Sequence, residues 1–107
     1  MCTIDIRNAA EVQVSQETRF SKNTLYQNGK STAFVLNFLP GQSLPPHPHP
    51  NAHVYLFVIE GTGTCTIDGE KQAIAPKDVI HCEDQQILSI ENASEKPLSI
   101  YVVLAKE

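Results

Sequence analysis

A chain of 107 residues has the length of one domain, and folding at that size buries somewhat over ~60% of the extended chain's surface, enough for one core without staples. Twelve acidic against eight basic residues leave a formal charge of -4, which argues against nucleic acid or an anionic membrane surface as partner. The longest apolar run, Val54 to Ile59, is far shorter than the ~20 residues that span a bilayer.

The opening stretch, MCTIDIRNAAEV, has neither the cationic start nor the apolar core of a secretory signal. Cys2, Cys65 and Cys82 are an odd set without paired spacing. Together these predict a cytoplasmic protein with reduced thiols, in which the sequon at Asn92-Ala93-Ser94 carries no weight. TIDI and EVQV, between Thr3 and Val14, alternate briefly and predict small strands or an arm.

Thr24 to Gln27 and Ser31 to Leu39 are β-prone runs around Asn28-Gly29, the pair that supplies the positive φ angles of a tight hairpin. Next comes GQSLPPHPHPNAHVYLFVIEG, residues 41–61, which holds three of the four histidines. Side chains alternate along a strand, so His47 and His49 project to one face with backbones roughly 6.7 Å apart, a spacing that lets two imidazoles grip one ion. Imidazole nitrogens bind zinc, iron, nickel or copper at about 2.0 to 2.1 Å, and a divalent ion needs three or more such donors. His53 is the nearest third donor, beyond a Pro50-Asn51-Ala52 stretch suited to a turn. Proline-spaced histidines also occur in loops that bind nothing. Pro45, Pro46, Pro48 and Pro50 stiffen the segment and keep it out of a central ladder, so it is predicted to be an edge or irregular strand.

Val54 to Ile59 shows no polar alternation, which predicts a strand covered on both faces. Thr64 to Ile67 and Glu70 to Ala75 form a second hairpin through Asp68-Gly69, and Pro76 to Asp78 turns the chain again. Val79 to Cys82, Ile87 to Glu91 and Leu98 to Leu104 complete the strands, separated by polar breaks at 83–86 and 92–97. No segment has the period and caps of a helix. Eight or more short strands at intervals of roughly 8 to 12 residues predict an all-β sandwich or barrel.

These residues resemble the cupin family, over about Lys30 to Leu104. Gly41, His47, His49 and Gly61 fall in register with the family's first motif, and IEGTGTCTIDGE looks like the strand-turn-strand that follows it. The resemblance implies a double-stranded β-helix, or jelly-roll barrel, over residues 24–107 of a single 1–107 domain, with 1–23 as the arm. The motif's glutamate position falls on Val54, so the expected carboxylate is absent; His53, its neighbour, substitutes only if the strand is shifted or bulged. The second motif can be laid on the chain in two ways. One takes Pro76, Asp78, His81 and Gln85, which keeps the histidine; the other, preferred, matches Asp78, Asn92 and Leu98 and puts Leu88 where the family carries its third histidine.

Two functions follow. In the first, the barrel holds a divalent transition metal (Zn, Ni, Fe or Cu) on His47 and His49, with His53 as third ligand and His81 as a possible fourth, and acts as a metal-dependent enzyme on a small organic substrate. In the second, the metal site is lost and the barrel binds a small organic molecule, as an isomerase-like enzyme or a sensor, with Val54 and Leu88 filling the space where ligands converge and His47, His49 and Tyr55 as polar contacts. A scaffold whose histidines have no chemical role is the blandest reading. Under any of them, the apolar strands 54–59 and 100–104 predict a homodimer.

Overall fold

The structure, a computed structural model, describes residues 4–107. Nine strands run in chain order: β1 (Ser21–Asn28), β2 (Ser31–Phe38), β3 (Ser43–Pro48), β4 (Ala52–Glu60), β5 (Gly63–Ile67), β6 (Glu70–Ile74), β7 (Val79–Cys82), β8 (Ile87–Glu91) and β9 (Leu98–Lys106). They form a five-stranded sheet, β1-β2-β9-β4-β7, and a four-stranded sheet, β3-β8-β5-β6, with every pairing antiparallel. The protein is all-β, and its sheets build the double-stranded β-helix that the resemblance implies. Phe38, Val58, Leu88, Ile90, Leu98 and Ile100 are among the fully buried residues of the core between them.

The two hairpins turn differently. Asp68 and Gly69 both take positive φ, 50° and 83°, as a two-residue turn between twisted strands requires. At the first hairpin Asn28 pairs with Ser31, so the turn is Gly29-Lys30, one residue later than expected, and only Gly29 is left-handed (φ 54°).

Among the described residues no strand forms in TIDI, whose Thr3 lies outside them, or in EVQV. Residues 4–8 are irregular, and Ala9–Val12 is a single 3-10 turn capped by Asn8, whose side chain accepts from the Ala10 amide at 2.9 Å. The segment is still an arm. Asn37 Nδ2 and Asn23 Nδ2 both donate to the Val12 carbonyl at 2.9 Å, Ser21 Oγ donates to Val14 O at 2.6 Å, and Tyr26 Oη donates to Asp5 O at 2.8 Å. It therefore crosses the outer face of the five-stranded sheet, where Ser99 Oγ also donates to Asn37 Oδ1 at 2.8 Å, so these buried polar groups are satisfied.

The expectation that strand 54–59 is covered on both faces is corrected. Val54, Leu56 and Val58 point into the core, while Tyr55 and Phe57 on the other face are 45% and 39% exposed. The run has no polar residue because its outer face is aromatic rather than hydrophilic, not because this chain covers it.

Candidate functional site

The site is built on β3, an edge strand as its prolines require. Leu44 pairs with Ile90 and His47 with Leu88, so three steps on β3 match two on β8. The extra residue lies at Pro45-Pro46, which have no amide hydrogen to give the ladder, and it reverses the side-chain alternation. Leu44 faces inward before the bulge; His47 and His49 line the barrel mouth after it. Their ring centroids are 4.4 Å apart and tilted by 52°.

The two imidazoles differ. The Nδ1 of His47 lies 3.1 Å from the Pro45 carbonyl, which it meets as a donor, leaving Nε2 as an acceptor. His49 is half-buried, and its Nδ1 is sealed from solvent with no hydrogen-bond partner. Burial first, then the charges of His47 and Lys22, hold the His49 pKa below its ordinary 6.5, so the ring is neutral at pH 7.

Behind the histidines lies a cavity of about 300 Å³ walled by Leu36, Leu44, Val54, Leu56, Leu88 and Val102, with Phe20, Phe34 and Leu104 also on its lining. Val54 and Leu88 are both part of this wall. The cavity has one cation, Lys22 of β1, whose Nζ stands 4.5 Å above the Phe34 ring centroid. None of the twelve carboxylates of the chain lines it.

The other expected site residues lie elsewhere. β4 keeps regular register through its first half, so His53 and Tyr55 share the outer face of the five-stranded sheet, as odd neighbours of inward-pointing Val54 must. His81, paired with Tyr55, joins them there, and the three rings stack: Tyr55 and His81 centroids are 4.9 Å apart, His53 and His81 5.2 Å. His53 Nε2 donates to Glu107 Oε1 at 3.2 Å, and its Nδ1 accepts from His81 Nε2 at 3.0 Å. His53 and His81 therefore belong to no cluster with His47 and His49, and Tyr55 does not reach the pocket. Among the described residues no group of three or more His, Cys, Asp or Glu is placed to hold a metal ion.

The donor set in the barrel does not fit a resident divalent metal. Two imidazoles converge, but where third and fourth donors belong there are the alkyl groups of Val54 and Leu88, and the nearest charge is the ammonium of Lys22. Cys65 and Cys82 are free and buried in the core; burial, then Cys82, pushes the Cys65 thiol up to about 11, so neither serves as a thiolate. Cys2 lies outside the described residues.

Reasoning from sequence missed Lys22, Phe20 and Phe34. Counting back from the hairpin turn without interruption would set Asn23 opposite Leu36 and face it inward. A bulge between Thr24 and Tyr26 shifts the register, so Lys22 pairs with Leu36 and turns into the pocket. The only available signal was a lysine in an otherwise β-prone run.

The family model for the cupin domain matches residues 34–104. No curated protein matches the sequence. Among solved structures, TT1209 from Thermus thermophilus superposes with a TM-score of 0.92 at 19% identity, covering 96% of this chain and 98% of that one. An uncharacterized conserved protein with a double-stranded β-helix domain from Klebsiella pneumoniae gives 0.90 at 19% identity, covering 97% and 91%. An RmlC-like cupin from Desulfovibrio desulfuricans gives 0.85 at 19%, covering 96% and 97%. At these identities the likeness is one of fold.

Proposed function

The chain belongs to the cupin family, and from that premise we propose that it is a metal-free member whose barrel binds a small organic molecule beside His47 and His49. The observation that carries this reading is the placing of two imidazoles, His47 and His49, on an apolar cavity whose other lining is alkyl and aryl apart from Lys22. An apolar pocket with a few convergent polar groups is the usual form of a small-molecule site. His47, pinned through Nδ1 by the Pro45 carbonyl, presents Nε2 as a second fixed contact. Val54 and Leu88 supply apolar surface where a metal centre needs donors.

We further propose that a second copy packs on the outer face around Phe57, Tyr101 and Val79, and that the protein works in the cytoplasm, where its buried thiols stay reduced.

The test is elemental analysis of untagged protein, joined to thermal-shift screening of small organic compounds before and after EDTA treatment. The reading predicts much less than one bound ion per chain, stabilisation by at least one compound regardless of EDTA, and loss of that stabilisation in the His47→Ala/His49→Ala double variant. About one ion per chain, removed by EDTA and absent from the double variant, would contradict it.

A further inference from the structure

Resting on the ligand-binding reading above, we propose that the barrel selects an organic carboxylate with a compact apolar body, and that Lys22 is the residue that recognises its charge. The cavity's polar lining is one ammonium and two imidazoles, and no carboxylate opposes the ammonium. This is a local reversal of sign in a chain whose formal charge is -4. A cation at the mouth of an apolar pocket in an acidic protein draws an anion toward that mouth.

Lys22 is held for this task. Its ammonium sits over the Phe34 ring, which orients the flexible side chain without neutralising it, and no acidic partner forms a salt bridge with it among the described residues. The β1 bulge that turns Lys22 inward is thus the structural feature that gives the pocket its charge. A carboxylate held by Lys22 at the mouth beside the histidines would lay its alkyl or aryl body against Leu36, Leu56, Leu88 and Val102. A cavity of about 300 Å³ at the low end of small-molecule sites suits a compact body.

The experiment is isothermal titration of EDTA-treated protein with benzoate, benzamide, benzylamine and inorganic phosphate, on wild type, Lys22→Met and Lys22→Arg. Benzoate is expected to bind at least tenfold more tightly than benzamide, the fold-change of one charge-assisted hydrogen bond, with benzylamine and phosphate weaker still. Lys22→Met should weaken benzoate at least tenfold and erase its preference over benzamide, and Lys22→Arg should restore most of it. Equal binding of benzoate and benzamide, lost in the His47→Ala/His49→Ala variant, would overturn the charge assignment and leave the ligand-binding reading standing. Failure of all four to bind overturns this proposal, and the screen above then decides the broader one. Lys22→Met lies on an exposed part of β1, so a folded variant is expected; unchanged circular dichroism verifies it.

Discussion

His49 shows how a single side chain is governed by what surrounds it. Its pKa is lowered, so the sign of its effect on stability is determined. The unfolded chain takes up a proton as pH falls through 6.5 while the folded ring resists it, so stability contributed above 6.5 is lost as the solution becomes more acid, until the folded ring also protonates. Urea denaturation at pH 7.5 and 5.5 should show a larger loss for wild type than for His49→Gln; equal losses would mean the ring is not desolvated. The thiols offer a second check at this scale. In a Cys2→Ser background, Cys65 and Cys82 should react with a disulfide reagent at pH 8 only after unfolding, because burial keeps both protonated. The fate of the histidines was legible in part. The HxH spacing put His47 and His49 on one face, and the absence of a glutamate at Val54 was visible as it stood. That His53 would pair with His81 across two strands, and with Glu107 at the far end of the chain, depends on long-range register that local spacing does not contain.

At the scale of elements, every predicted strand after residue 24 exists, because turn chemistry and apolar runs are local signals; what failed was local signal contradicted by bulges. Two of them decide the site, one at Pro45-Pro46 that aims the histidines inward and one near Leu25 that brings Lys22 in with them. Prolines gave notice of the first, and nothing in the sequence marked the second. Of the two readings of the first segment, small strands or an arm, the arm is the one that forms, because brief alternation over four residues is weak beside the open polar groups of β1 and β2 that the arm covers. Gly61 gives the clearest test of an element junction. It has φ of 86°, and a Cβ there would collide with the Pro97 carbonyl oxygen. Gly61→Ala should cost about 2 to 5 kcal/mol, from left-handed strain plus a backbone clash that cannot relax cheaply. Gly69→Ala, with similar φ and open space, should cost only about 1 to 2 kcal/mol. Chemical denaturation of the two variants measures the difference, and equal costs would refute the clash.

For the molecule as a whole, fold was legible and chemistry was not, since a barrel of this kind serves any ligand its lining suits. The outer face of the five-stranded sheet leaves Tyr55, Phe57 and Val79 exposed, Val79 by 70%. If a second copy covers this face, light scattering at micromolar concentration gives the mass of a dimer, and Phe57→Glu gives a monomer that retains the pocket; a wild-type monomer contradicts the arrangement. No helix among the described residues is long and apolar enough to cross a membrane. The central claim is that the barrel takes an organic guest through its own side chains without an ion between them. Nitrogen-detected NMR of the His49 ring, followed while metal-stripped protein is titrated with benzoate, tests it most directly. A saturable shift of the His49 ring nitrogens is the predicted result; a His49 signal that stays unmoved until a divalent metal is added would contradict it.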